Sequence, residues 1–132
     1  MILVDSSVWI DYFNGRQNNA TDSLDALLSQ DTVLMGDLIL MEILQGFRKQ
    51  QDFDTARAYL AELMCCSLCS PELALAGAEN YRFLHSKGVT VRKTIDVVIG
   101  TWCIVHNIPL LHNDQDFDPL KEHLSLQTLP DR

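Results

Sequence analysis

The chain has 132 residues, a length that fits a single domain, residues 1–132, with one hydrophobic core. Its 47% hydrophobic and 21% charged residues are ordinary for a soluble globular protein. The N-terminal segment lacks the basic residues of a secretory signal, and no apolar stretch is long enough to span a bilayer, so we expect a cytoplasmic protein without membrane contact. The net charge of −8 argues against a broad basic surface for nucleic acid and would confine such recognition to a small local patch.

The alternation of short apolar runs with longer helical periods predicts an α/β fold with a central, mostly parallel sheet. Short apolar runs without alternation favour strands that are covered on both faces. In chain order we predict a strand at 2–4, a helix ending at 13, a helix at 21–29, a strand at 32–35, helices at 37–47 and 52–64, a strand at 66–68, helices at 71–87 and 94–105, a strand at 109–111, a short helix from 118 and an edge strand at 126–129.

Several polar residues are candidate helix caps. Ser6 or Ser7 can cap the first helix, and Thr94 can cap the long helix that follows it. Asp118 stands before Pro119 where the last helix begins, and we assign Asp118 a structural role as a cap.

Asp5 is the most informative residue, because it stands where a buried strand ends and a helix begins. The carboxyl ends of parallel strands form the edge at which open α/β sheets bind ligands. An N-cap role for Asp5 would be ordinary, but the serines that follow can cap without adding charge. We therefore favour a ligand role for Asp5.

Glu42 lies in a strongly apolar helical segment. A lone carboxylate there is costly to desolvate unless it is paired or bound to a metal. However, Glu42, Gln45 and Lys49 share one helical stripe, which could equally be the solvent-exposed side of the helix. Both interpretations remain open.

Asp96 falls in the first turn of a predicted helix, where the helix dipole favours an acid without any function. The apolar residues that follow at once place Asp96 beside the core, and Gly100, one turn later, would leave the space above it open. Arg92 and Lys93 precede Asp96. These basic residues either pair with acids at the surface or hold a phosphate group near the site.

Asp114 and Asp116 follow the predicted strand at 109–111, again at a strand C-terminus. One of them could turn the chain, as Asx residues often do, but two acids at this edge favour metal binding. His112 precedes them, and a structural role is the commoner one for a histidine at a strand end.

Four acids thus belong to elements that a parallel fold would bring to one edge of the sheet: Asp5, Glu42, Asp96 and Asp114. Carboxylates packed closely repel one another, and a divalent cation removes the repulsion. Ligation by oxygen alone selects Mg²⁺ or Mn²⁺ over zinc, and such ions promote phosphodiester hydrolysis.

The four cysteines are Cys65, Cys66, Cys69 and Cys103. The first three are close enough in sequence to suggest zinc, but no fourth ligand of matching spacing follows nearby. We expect reduced cysteines that pack as small apolar residues.

Four stretches of the chain together resemble the PIN-domain ribonucleases, specifically the VapC-type toxins of toxin–antitoxin pairs. They are residues 2–10 (ILVDSSVWI), 41–46 (MEILQG), 94–96 (TID) and 109–118 (PLLHNDQDFD). The resemblance covers essentially the whole chain. It implies an α/β/α sandwich with a five-stranded, mostly parallel sheet, and an endoribonuclease that depends on Mg²⁺ or Mn²⁺.

The resemblance also implies roles for particular residues. The family's acidic quartet corresponds by position to Asp5, Glu42, Asp96 and Asp114. Asp116 corresponds to a further acid near the metal, and Ser7 to a polar residue that supports the site. VapC-type toxins form homodimers and are silenced by a VapB-type antitoxin, so the resemblance implies both of these partners besides RNA.

The resulting hypothesis is hydrolysis of RNA by a metal-activated water. Asp5 would be the central metal ligand, Glu42 would bind a second ion or orient the attacking water, and Asp116 would assist. Asp96 and Asp114 would complete the ligand set. The RNA phosphates would be contacted by Arg92 and Lys93.

Two alternatives remain open. The first is a metal-dependent phosphatase or phosphotransferase with Asp5 as its nucleophile, although Ser7 stands where such enzymes commonly carry a second acid. The second is a non-catalytic binding module that retains the fold and contacts only a protein partner.

Overall fold

The computed structural model describes residues 1–129, which form five strands, seven α-helices and one short 3₁₀ turn. None of these helices is long and apolar enough to cross a membrane. In chain order the elements are β1 (Ile2–Val4), α1 (Ser6–Phe13), α2 (Asn19–Leu28), β2 (Val33–Gly36), α3 (Asp37–Gln45), α4 (Gln50–Leu60), β3 (Met64–Cys66), α5 (Pro71–Ser86), α6 (Thr94–His106), β4 (Leu110–Leu111), the 3₁₀ turn (Gln115–Phe117), α7 (Asp118–Leu124) and β5 (Thr128–Leu129).

The strands form one five-stranded sheet in the order β3-β2-β1-β4-β5, and every neighbouring pair is parallel. The helices form two packed groups, α1 to α4 and α5 to α7. Leu3 and Val4 of the central strand are fully buried, as expected for a parallel sheet covered on both faces. The predicted α/β/α sandwich is therefore confirmed, and the sheet is parallel throughout.

The chain changes direction across the sheet at β1, because β2 lies on one side of β1 and β4 on the other. Val4 pairs with Leu111, and the Asp5 N–H donates to the Leu111 carbonyl at 2.9 Å. The segments that follow β1 and β4 therefore leave the sheet side by side. Open α/β sheets bind their ligands in the crevice at such a switch point.

Several predicted element ends are displaced. α2 begins before residue 21, because Asn18 and Thr21 form a reciprocal capping box with two hydrogen bonds of 2.9 Å. β3 lies earlier than predicted because Met64 pairs with β2 in the sheet. α3 ends before Lys49, which is the N-cap of α4, so the predicted stripe joining Glu42 to Lys49 is wrong.

Two predicted helix caps are also wrong. Lys93 is the N-cap of α6, and Thr94 is the first helical residue. Asp118 is likewise the first residue of α7, where no side chain caps the helix. The 3₁₀ turn that ends at Phe117 runs directly into α7, so there is no extended residue from which a side chain could cap.

Gly100 has a packing role that differs from the expected one. A Cβ atom on Gly100 would collide with the side chain of Leu120 from α7. The absence of a side chain therefore lets α6 and α7 approach closely, and the prediction of open space at this position is wrong.

The cysteines are all free, but only Cys103 is fully buried. Cys65 and Cys69 are exposed, so the expectation that they pack in the interior is wrong. β3 is an edge strand, which leaves Cys65 at the surface. Within residues 1–129, no cysteine belongs to a group with metal-ligand spacing.

Candidate functional site

Asp5 lies at the carboxyl end of β1 and is itself the N-cap of α1. Its Oδ2 accepts hydrogen bonds from the Ser7 N–H at 3.0 Å and from the Ser7 hydroxyl at 2.6 Å. The prediction that a serine caps this helix is therefore wrong. A single carboxylate oxygen makes both bonds, so the cap uses only part of the ligand capacity of Asp5.

The Asp5 side chain is almost completely buried, with 3% of the residue exposed. Burial raises the pKa of Asp5, and the nearby charge of Asp114 raises it further. The two hydrogen bonds from Ser7 act in the opposite direction, but the pKa remains above its ordinary value. A buried acid of this kind is stabilised as an anion by a bound cation.

Asp96 lies in the first turn of α6 and is also buried, with 4% of the residue exposed. Burial raises the pKa of Asp96 to about 6; Lys93 lowers it, and the charges of Asp5 and Asp114 add to the increase. Within residues 1–129 the buried Asp96 Oδ2 lacks a hydrogen bond of good geometry, and its ion-pair partner is Lys93 Nζ at 3.5 Å. A buried carboxylate oxygen with so long a contact is incompletely satisfied, and a metal ion would satisfy it.

The loop after β4 holds two further acids in a defined arrangement. The Asp114 N–H donates to Nδ1 of the buried His112 at 3.1 Å, and the Asp116 N–H donates to Asp114 Oδ1 at 2.9 Å. The His112 ring packs against Phe117, with their centroids 5.0 Å apart. His112 thus has a structural contact in this loop, and the 3₁₀ turn brings Asp116 back towards Asp114.

Three carboxylates are close enough to share one cation: Asp96, Asp114 and Asp116, which we call the acidic triad. One oxygen of each lies within 4.8 Å of the others. Oxygen ligands from three acids at this spacing fit a hard divalent cation. Asp5 lies outside the triad, although its charge raises the pKa of Asp96 and that of Asp114 raises the pKa of Asp5.

Glu42 lies half-buried on α3 and accepts a hydrogen bond from the Ser6 hydroxyl at 3.3 Å. Burial raises the pKa of Glu42, and the charges of Asp5 and Asp114 raise it further, against the lowering effects of Ser6 and Lys93. Glu42 is therefore electrostatically coupled to Asp5 and Asp114.

The two basic residues before α6 both pair with acids of the triad. Lys93 Nζ lies 3.5 Å from Asp96 Oδ2 and 3.4 Å from Asp114 Oδ2. Arg92 Nε lies 3.9 Å from Asp116 Oδ1. Burial lowers the pKa of Lys93, but the two acids more than compensate, so that its pKa lies above the ordinary value.

Sequence reasoning missed two residues that support the site. The Asn113 N–H donates to the Ser7 hydroxyl at 3.1 Å, and Asn113 Nδ2 donates to Asp11 Oδ2 at 3.2 Å. Asp11 also accepts a hydrogen bond from Asn18 Nδ2 at 3.2 Å. The loop that carries Asp114 is therefore tied to α1, although nothing in the local pattern around Asp11 indicates a partner so distant in sequence.

Comparison with known proteins identifies the family. Residues 2–122 match the PIN domain, and the chain belongs to the PIN-domain family. Among curated proteins, it is 31% identical over 129 residues to VapC ribonuclease Mb1587 of Mycobacterium bovis and to ribonuclease VapC11 of Mycobacterium tuberculosis, with 96% of both chains covered in each case. The resemblance to VapC-type proteins that the four stretches predict is therefore confirmed.

Solved structures share the fold. VapBC2 of Rickettsia felis bound to a promoter DNA fragment matches with a TM-score of 0.77 at 20% identity, over 97% of both chains. A toxin–antitoxin complex from Klebsiella pneumoniae matches with a TM-score of 0.69 at 20% identity, over 89% of this chain and 90% of the other. FitAcB of Neisseria gonorrhoeae matches with a TM-score of 0.72 at 15% identity, over 97% of this chain and 96% of the other.

Proposed function

We propose that this protein is a metal-dependent endoribonuclease and the toxin of a toxin–antitoxin pair. The observation that carries the proposal is the acidic triad beside the buried Asp5, at the switch point of the sheet. Relatives that are 31% identical over nearly the whole chain are named ribonucleases. RNA is therefore the substrate that this site and these relatives together support.

Asp96, Asp114 and Asp116 would hold the cation, and Asp5 would contribute its charge and its remaining oxygen. The incompletely hydrogen-bonded Asp96 Oδ2 and the all-oxygen donor set suit Mg²⁺ or Mn²⁺ better than zinc. When bound, such an ion activates water for attack on a phosphodiester and neutralises the charge that develops on the phosphate.

The remaining residues of the site have supporting roles. Glu42 would orient the attacking water or contribute to a second ion, while Ser7 holds Asp5 in place through the bond of 2.6 Å. Arg92 and Lys93 would contact RNA phosphates near the site. This mechanism uses no side-chain nucleophile, so cleavage should leave 5′-phosphate and 3′-hydroxyl ends.

The same proposal includes the biological setting. Two of the structural neighbours are described as VapBC2 bound to a promoter DNA fragment and as a toxin–antitoxin complex, which supports a VapB-type antitoxin as the partner of this chain. We further propose that the protein forms a homodimer and acts in the cytoplasm. Because the net charge is −8, RNA binding should be local and sensitive to salt.

A cleavage assay on purified protein tests the function. We expect single-stranded RNA to be cut with Mg²⁺ or Mn²⁺, to remain intact with EDTA, and to be cut again after the ion is restored. Asp96→Asn should be inactive when prepared in parallel, whereas Glu79→Gln, which removes an exposed acid from α5, should retain activity. Equal cleavage by wild type and Asp96→Asn would show that the activity comes from a contaminant or another site.

The same preparation separates the alternative functions. A trapped acyl phosphate on Asp5 would indicate a phosphotransferase. Binding of the antitoxin without binding of Mg²⁺ or Mn²⁺ in calorimetry would indicate a non-catalytic module.

A further inference from the structure

Lys93 holds an unusual position for a basic residue beside a metal site. Its ammonium group lies almost equally far from two members of the acidic triad, at 3.5 Å from Asp96 Oδ2 and 3.4 Å from Asp114 Oδ2. The side chain of Asp96 is only 6% exposed, whereas that of Lys93 is 49% exposed. A half-exposed cation thus lies against a buried acid. Within residues 1–129, no other group donates a hydrogen bond to Asp96 Oδ2.

We propose that Lys93 is an internal counter-cation of the acidic triad, which keeps Asp96 and Asp114 together until a divalent ion displaces its ammonium group. This inference rests on the proposed function, because it assumes that the triad is the metal site. It assigns Lys93 a role in metal binding in addition to its proposed contact with RNA.

Electrostatics explains why such a residue is useful. Two carboxylates close to each other in a partly buried site repel, and the repulsion favours a protonated or displaced side chain. An ammonium ion between them offsets the repulsion without any ligand from solution. Lys93 therefore keeps Asp96 and Asp114 close together before the divalent ion arrives.

The same geometry makes Lys93 a competitor of the metal. A divalent ion held by Asp96 and Asp114 would use the carboxylates that the ammonium group now contacts, and the two positive charges would repel. The backbone of Lys93 is fixed as the N-cap of α6, so only its side chain has to move. Because half of that side chain already faces solvent, the movement costs little desolvation.

Arg92 provides a matched comparison. It also carries one positive charge, but within residues 1–129 its ion pair with the triad is a single contact with Asp116, at 3.9 Å, and its side chain is 78% exposed. An exposed pair of this kind is screened by solvent and contributes little. If net charge alone controlled metal affinity, removing either residue would have a similar effect.

Calorimetric titration with Mn²⁺ alone, without RNA, tests the inference on wild type, Lys93→Met and Arg92→Met. We expect Lys93→Met to bind Mn²⁺ at least about fivefold more tightly than wild type, because a directly competing charge is removed. Arg92→Met should change the affinity by less than about twofold. In EDTA, Lys93→Met should also melt at a lower temperature than wild type, and saturating Mn²⁺ should reverse this difference.

Each contrary result has a distinct meaning. Equal gains in affinity for Lys93→Met and Arg92→Met, or no gain for Lys93→Met, would overturn the role of Lys93. In that case the proposed function would still stand, provided that the wild-type protein binds Mn²⁺ and cuts RNA. If neither wild type nor any variant binds Mn²⁺, the metal site and the inference about Lys93 both fail.

Discussion

The Ser7 hydroxyl donates a hydrogen bond of 2.6 Å to Asp5 Oδ2, and it accepts one of 3.1 Å from the backbone N–H of Asn113. This one hydroxyl therefore connects the buried acid after β1 to the loop after β4 that carries Asp114. The two segments are distant in sequence but leave adjacent strands of the sheet. Asp5 and the loop that carries Asp114 are thus held together at the carboxyl edge of the sheet.

Asp5→Asn should reduce RNA cleavage by at least about 100-fold, because it removes a negative charge next to the proposed metal site. The asparagine amide oxygen can still accept the bonds from Ser7 and cap α1, so the fold should persist. Since burial raises the pKa of Asp5, the variant should be at least as stable as wild type in EDTA. Cleavage rates and melting temperatures check this, and a destabilised, unfolded variant would contradict the structural part of the prediction.

Stability in the absence of metal should fall as pH rises. Burial chiefly raises the pKa of Asp96 from 3.8 to about 6, and the pKa values of Asp5 and Glu42 are also raised. A group whose pKa is higher in the folded protein contributes stability below its unfolded pKa and loses that contribution as pH rises through the folded value. For Asp96 this window runs from about pH 4 to about pH 6.

Melting curves in EDTA and in saturating Mg²⁺ would measure this effect. The difference in melting temperature between the two conditions should widen up to about pH 6 to 7, because the ion binds the charged acids and displaces their protons. Asp96→Asn should flatten the pH dependence in EDTA. If the difference in melting temperature between EDTA and Mg²⁺ does not change with pH, the raised pKa of Asp96 is contradicted.

Asn113→Ala should lower the turnover number by about three- to tenfold while leaving stability nearly unchanged, because small displacements of a catalytic group cost rate. The matched control is Asn18→Ala. Both side chains donate to Asp11 Oδ2 at 3.2 Å. However, Asn18 caps α2, whereas Asn113 belongs to the loop that carries Asp114. Asn18→Ala should therefore cost about 1 kcal/mol of stability and little activity.

A double-mutant cycle with Asp11→Ala tests whether the pair acts together. The combined loss of turnover in Asp11→Ala with Asn113→Ala should be smaller than the product of the single losses. Strictly multiplicative effects would mean that Asp11 does not act through Asn113.

Gly100→Ala should destabilise the protein by about 1 to 3 kcal/mol, because the added methyl group collides with Leu120. Gly77 is a matched helical glycine in α5 with no atom within 4 Å of a Cβ built there, so Gly77→Ala should stabilise the protein by about 0.5 to 1 kcal/mol. Urea unfolding of both variants measures these effects. The two substitutions should change the free energy of unfolding in opposite directions. A Gly100→Ala variant as stable as wild type would contradict the close approach of α6 and α7.

Much of the fold followed from local patterns. The sequence predicts β1 with its observed bounds, Ile2–Val4, because three apolar residues before an acid and a helix start favour a short buried strand. The order of elements then implied a parallel sheet, which placed Asp5 and Asp114 at the same edge. Element ends were less predictable. The start of α2 depends on the capping box between Asn18 and Thr21, a local signal that sequence reasoning missed, whereas Met64 joins β3 through pairing with the distant β2.

The details of the site depended on packing between distant segments. Whether Asp5 or a serine caps α1 could not be decided locally, because all of them suit an N-cap. The triad of Asp96, Asp114 and Asp116, with Asp5 beside it, is a matter of distances that no spacing in the sequence specifies.

By itself, the sequence determined the class of fold, the edge of the sheet at which the acids gather and the kind of chemistry they support, because periodicity and residue type are local properties. Only the tertiary structure decided which carboxylates can share a cation, that Lys93 lies between two of them, and that Asp11 supports the loop through Asn113. These relationships depend on how α1, α6 and the loop after β4 meet in space, and side-chain contacts across such boundaries arise only when the helices pack on the sheet.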